Sequence, residues 1–97
     1  MPDRDALDRE VADIKHQIDL ASAETAILVR SKIEVLFGNC LVMVSEDDRA
    51  VVEGARILCY LYLHELENRK ASSASFRIAS NSLDQIPRLV TRASRTP

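Results

Sequence analysis

The stretch RAVVEGARILCYLYLHELE, residues 49–67, decides the fold. Arg49, Glu53, Arg56, Tyr60, His64 and Glu67 recur at steps of four, three, four, four and three, which confines them to one narrow stripe of a helix. Almost everything else from 50 to 66 is apolar: Val51, Val52, Ala55, Ile57, Leu58, Cys59, Leu61, Tyr62 and Leu63. The apolar arc therefore exceeds half the circumference, against about 100° for an ordinary surface helix. Such a helix is wedged between neighbours on more than one side. Gly54 in its interior costs about 1 kcal/mol relative to alanine unless close packing uses the missing side chain.

Just upstream, Ser45-Glu46-Asp47-Asp48 reads as a helix start. A serine followed three residues later by an acid resembles a capping box, and three acids fill a first turn where the helix dipole favours negative charge. Downstream, the composition changes at Ala71-Ser72-Ser73-Ala74-Ser75, small and polar. This helix is thus predicted over about 46–70.

Toward the N-terminus, Leu7, Val11, Ile14, Ile18 and Ala21 alternate at steps of four and three, the spacing of a coiled-coil seam. Beyond Ala21, one stripe continues through Ala26, Val29, Ile33, Leu36 and Cys40, while Leu28 and Val35 begin a second, interrupted by Lys32. Gly38-Asn39 reads as a stop, because both residue types tolerate the left-handed conformation that closes helices. One helix over about 6–37 is favoured over a pair broken at Ala21-Ser22, where Ser22 could cap a new helix.

Toward the C-terminus, the serine-rich stretch reads as a linker. Ser82 or Asp84 could cap a short last helix, and with Asp84 as the cap Pro87 falls in the first turn, where its missing donor does no harm. Leu83, Ile86, Leu89 and Val90 would pack, Arg88, Arg92 and Arg95 would line one face, and the last residues would be disordered.

Composition supports helices throughout. Two glycines, three prolines and four aromatic residues in 97 cannot furnish the turns and strands of a sandwich or barrel. One domain is the ceiling for this length. The expected architecture is all-α: a helical hairpin over 1–70, then 71–97 as linker, short basic helix and tail.

Oligomerisation follows from length. A helix of about 32 residues is about 48 Å long, too long for the other 60 or so residues to wrap. The hairpin is therefore expected to pair with a second copy as a four-helix bundle. Val29, Ile33, Leu36, Val51, Ala55, Leu58, Leu61 and Tyr62 are the expected self-association residues.

No chemistry is indicated. His64-Glu65 begins like a zinc-protease motif, but Asn68 stands where the second histidine belongs. Cys59 lies in the most apolar stretch, which disfavours a thiolate, and Cys40, past the expected stop, is the more exposed thiol. Asp3, Asp5, Asp8, Glu10 and Asp13 wrap around their helix as a solvated face. No glycine-rich phosphate loop, membrane span or secretory leader is legible.

The expectation is a cytoplasmic, non-catalytic protein-interaction module without cofactor or metal, acting as a homodimer on another protein. The alternative is a nucleic-acid-associated regulator. Residues 71–97 carry four arginines against Asp84 alone, and Arg88, Arg92 and Arg95 would face phosphates.

Overall fold

The computed structural model describes residues 4–94. Four α-helices follow one another: α1 (Arg4–Leu20), α2 (Ala26–Leu41), α3 (Arg49–Glu67) and α4 (Ser73–Ser94), with a 3-10 turn at Glu46–Asp48 leading into α3. No strand occurs among the described residues. α1 packs on α2 and α4, and α3 packs on α2 and α4, so each helix has two neighbours in the same chain. The result measures 46 × 21 × 17 Å with a radius of gyration of 13.3 Å, about the value of a compact 100-residue domain.

The expected helix over 6–37 is two helices. Ala21 N–H bonds the Ile18 carbonyl at 3.2 Å and closes α1. Ser22 N–H donates to Thr25 Oγ1 at 2.9 Å, and Thr25 N–H donates to the Ser22 carbonyl at 3.2 Å. These local bonds satisfy polar groups that a continuing helix would otherwise have used, the means by which serine and threonine compete with helices. In place of a single long rod, two helices of 17 and 16 residues fold back on each other. A second copy is not needed to cover them.

The Gly38-Asn39 stop is also corrected. α2 runs through to Leu41, and neither glycine has a positive φ. Ser45 precedes the 3-10 turn in an extended conformation but makes no side-chain cap bond. The C-terminus of α3 instead closes at a residue that sequence rules do not flag. Arg69 takes φ 58°, its N–H bonds the Leu66 carbonyl at 3.0 Å, and Lys70 N–H bonds the Glu65 carbonyl at 2.7 Å. This pair of bonds is the Schellman motif, with arginine in the position glycine usually fills.

The serine-rich linker is the start of α4. Ser75 N–H donates to Ser72 Oγ at 3.1 Å and Ser72 N–H donates to Ser75 Oγ at 2.9 Å, a reciprocal capping box built from two serines. Neither Ser82 nor Asp84 is therefore a cap, and Pro87 lies inside a helix of 22 residues. Its ring leaves the Leu83 carbonyl without an i+4 donor, and Thr91 Oγ1 donates to the Pro87 carbonyl at 2.8 Å one turn on.

The core is one stripe from each helix. α1 contributes Leu7, Val11, Ile14 and Ile18, and α2 contributes Val29, Ile33, Leu36, Phe37 and Cys40. Val52, Ala55, Cys59, Tyr62 and Leu63 come from α3, and Ala79, Leu83, Ile86 and Val90 from α4. Each large aliphatic residue contributes about 1.5–3 kcal/mol by its burial. Asp48 is buried at the start of α3, where Arg92 of α4 bonds it through Nη2 to Oδ1 and through Nε to Oδ2 at 3.1 Å. The guanidinium holds the Asp48 carboxyl below its ordinary range despite burial.

Candidate interaction surfaces

The eight residues expected at a self-association contact divide sharply. Val29, Ile33, Leu36, Ala55 and Tyr62 are in the chain's own core, while Val51, Leu58 and Leu61 face solvent. The division follows helical phase. The α3 stripe centred on Cys59 points inward, and positions 51, 54, 58 and 61 lie on the far side or at its α4 edge.

Three outward faces stand out, besides the exposed Ile27 of α2 and Val42 just past its end. The first is on α3, where Val51, Ile57, Leu58 and Leu61 stand between 39 and 53% exposed around Gly54. α3 and α4 run antiparallel, as the edge-to-face rings of Tyr62 and Phe76, 5.9 Å apart, and the Cys59–Ala79 contact establish. That register places half-exposed Ile78 of α4 beside this face. On its α2 side the face ends at a polar seam. There the Tyr60 ring lies 5.6 Å from the Arg30 guanidinium and 5.5 Å from that of Arg56, and Arg56 bonds Glu53.

The second face is a furrow between α1 and α2, the sparsest of the four helix pairings. Its wider part holds about 560 Å³ and is lined by Leu20, Ala21, Leu28 and Val29 among others. A second part of about 290 Å³ lies between Glu10, Asp13 and Ile14 on one side and Lys32 and Val35 on the other. Ser31 and Lys32 line both, so the two parts are continuous.

The third face is polar. Arg77, Asn81, Gln85 and Arg88 are exposed along one side of α4. Arg88 is thus available as the sequence reading requires, whereas Arg92 is engaged with Asp48. Arg95 lies outside the described residues.

The chemistry-bearing side chains are committed to structure. Cys40 is fully buried in α2, which reverses the expectation that it is the more exposed thiol, and burial with Glu10 nearby pushes its pKa up to about 12. Burial raises Cys59 to about 11, partly offset by Ser82 Oγ at 3.7 Å. His64 meets Asn68 at 3.2 Å at the end of α3. Among the described residues no three His, Cys, Asp or Glu side chains gather as metal ligands, and no helix is long and apolar enough to cross a membrane.

Sequence reasoning saw Leu28 and Val35 as the start of a second apolar stripe, interrupted by Lys32, and these two residues are exposed on the α1 side of α2 beside the furrow. It missed the furrow itself, because the opposite lip comes from α1 only once the chain turns at 21–25. No family model, curated protein or solved structure matches the chain.

Proposed function

We propose that this protein is a non-catalytic helical interaction module that associates with itself through the outer face of α3. The observation that carries the reading is an aliphatic surface left over after a complete core has formed. Val51, Ile57, Leu58 and Leu61, with Ile78 beside them, stay exposed although four helices of one chain already enclose a core. Contiguous apolar surface of this kind is uncommon on soluble monomers and marks contact sites. The α3 face has a polar boundary on its α2 side, as contact patches do.

Sedimentation equilibrium from about 1 to 100 µM tests it. The expected result is a concentration-dependent rise from 10.9 kDa toward twice that mass, abolished by Leu58→Glu/Leu61→Glu with helicity unchanged. A chain that stays at the single mass throughout refutes self-association.

A second reading has one observation in its favour: α4 presents Arg77, Asn81, Gln85 and Arg88 on one exposed side. These residue types contact base edges and phosphates when a helix lies in a groove. Binding to mixed-sequence DNA that weakens steeply between 50 and 200 mM salt, and is lost in Arg77→Ala/Arg88→Ala, is its expected outcome. Binding without salt dependence, or none, refutes it.

A further inference from the structure

We infer that two copies of this chain pair with their α3 helices antiparallel, Ala50 and Gly54 of one against Leu61 and Ile57 of the other. His64 of each copy then lies over the acidic turn Glu46–Asp47 of the other, so that association tightens as His64 takes a proton. The inference rests on the reading of α3 as the self-association face, and it gives that contact an orientation, a register and a pH response.

The order of sizes along the face comes first. Ala50, Gly54, Ile57, Leu61 and His64 follow steps of four, three, four and three and are all exposed, which makes them the outermost stripe of α3. The small residues stand in its N-terminal half and the large ones in its C-terminal half. A Cβ on Gly54 would meet nothing within 4 Å, so the space above it is open. An antiparallel second helix with Ile57 opposite Gly54 also has Leu61 opposite Ala50, and the two-fold repeats both pairs in reverse. Every large side chain then faces a small one, as close packing between helices requires. On the α4 edge of the stripe, Leu58 meets Val51 in the same register. A parallel copy in register sets Gly54 against Gly54 while Ile57 and Leu61 hold the helices apart, and the gap forfeits its contacts.

Charge favours the same pairing. The 3-10 turn Glu46–Asp48 runs directly into α3, so one turn beyond Ala50 the register brings Glu46 and Asp47 to His64 of the other copy. These three residues are exposed, and among the described residues none of them forms an ion pair. Asp48 is committed to Arg92. In its own chain, His64 shares its end of α3 with Glu65 and Glu67, and its ring meets Asn68. α2 brings Arg30, 3.9 Å from Glu67, the closing turn brings Lys70 and the Glu24-bound Arg69, and α4 brings Arg77. To these the second copy adds Glu46 and Asp47 against Arg49 alone. It thus brings net negative charge to His64, which attracts the protonated imidazole and not the neutral one. By linkage, proton uptake at His64 and association strengthen one another.

The competing surface on a second copy is the outer side of α2, where Ile27, Leu28 and Val35 are exposed. Contact of α3 with that side is head-to-tail, leaves one face of each kind open on every complex, and adds further copies. Pairing α3 with α3 uses one patch twice and closes at two.

Sedimentation equilibrium of the full chain at pH 6 and pH 8, joined to cysteine cross-linking, tests the pairing. The dimer Kd should be about fivefold lower at pH 6 than at pH 8, from two exposed ion pairs per dimer. His64→Gln should erase the difference, and His16→Gln, on α1, should keep it. Ala50→Cys/Leu61→Cys should cross-link with diamide into a covalent dimer, because each new thiol faces the other kind across the contact. Either single variant should cross-link far more slowly, since its two thiols lie about 16 Å apart along the paired helices. Cys40 and Cys59 are buried and stay out of the reaction. Leu28→Glu/Val35→Glu should leave the mass unchanged. A dimer with the same Kd at both pH values, or single variants that cross-link as fast as the double one, overturns the inference and leaves α3 self-association standing. Mass that climbs past two copies, or is lost in Leu28→Glu/Val35→Glu, puts α2 in the contact and overturns the pairing. A chain of single mass at both pH values overturns the inference together with the reading beneath it. The pH comparison needs no variant, so it decides even where a substitution disturbs the fold.

Discussion

Replacing both glycines with alanine should stabilise this protein, by an amount the structure allows one to work out. Gly38 and Gly54 lie inside α2 and α3 with ordinary negative φ. A Cβ built on either meets nothing within 4 Å. The substitution therefore introduces no clash and removes no required conformation. What remains is the backbone entropy of glycine, about 0.5–1 kcal/mol in a helix interior. Gly54 is well inside its helix and warrants the upper figure, whereas Gly38 is three residues from the end of α2, where fraying halves the gain. Gly38→Ala/Gly54→Ala should thus gain about 1.5 kcal/mol. At about 4–8 °C per kcal/mol for a domain of this size, Tm should rise by about 6–12 °C. Thermal unfolding followed by circular dichroism at about 1 µM measures it, since low concentration limits any contribution from assembly. A variant that is unchanged or less stable under those conditions refutes the claim that space above both glycines is open. If Gly54→Ala gains stability yet weakens association at 100 µM, the space is open in the single chain and filled by a second one.

Other consequences follow from burial and charge. Ile33→Ala, in the core, should cost about 2–5 kcal/mol, while Val35→Ala, two residues on and outward, should change stability by less than about 0.5 kcal/mol; equal urea midpoint shifts would mean that α2 is misphased. Asp48 has a folded pKa depressed by Arg92, so its contribution is present above the unfolded value near pH 3.9 and is lost as pH falls through the folded one. Asp48→Asn should therefore lower Tm at pH 7 and flatten the acid limb of the Tm profile, and an unchanged Tm at pH 7 would refute the pairing. Cys40 and Cys59, raised to about 12 and 11 and buried, should react with a disulfide reagent at pH 8 only as the chain opens, two equivalents appearing at once in denaturant. Immediate reaction of either thiol in the native protein would show that it is accessible.

How much of this was legible from sequence depends on whether local chemistry or tertiary context made each choice. The apolar phases were readable. The α1 seam of Leu7, Val11, Ile14 and Ile18, the α2 stripe of Val29, Ile33 and Leu36, and the packing residues Leu83, Ile86 and Val90 are all buried. Burial follows periodicity, and periodicity is a property of the chain. The punctuation was not readable in the same way. Gly38, read as a stop, is mid-helix, and Arg69, with no sequence signal for it, takes the left-handed closing position. Arg69 is supported there by contacts beyond its own neighbours, for it pairs with Glu24 in the α1–α2 turn at 2.6 Å. The two serine-based turns used residues that linkers also favour. Ser22–Thr25 and Ser72–Ser75 became a break and a cap because flanking apolar stripes needed to turn or start at those points.

The passed-over break at Ala21-Ser22 also explains why the core was assigned to two chains. With one rod over 6–37, each helix of the expected hairpin had a single neighbour in the same chain, and the broad apolar arc of α3 required a second copy. With the turn at 21–25, α2 and α4 cover two sides of that arc, and only its outermost strip is left. This changes the kind of association to expect. A dimer that completes a core is obligate, and its subunits do not fold apart. Here the core is enclosed within one chain, so the proposed association through Val51, Leu58 and Leu61 would add to that core and not complete it. Charges placed on that strip should therefore separate assembly from folding: the mass falls and the helicity holds. A module whose core is enclosed in this way can associate reversibly, because losing the contact removes nothing from that core.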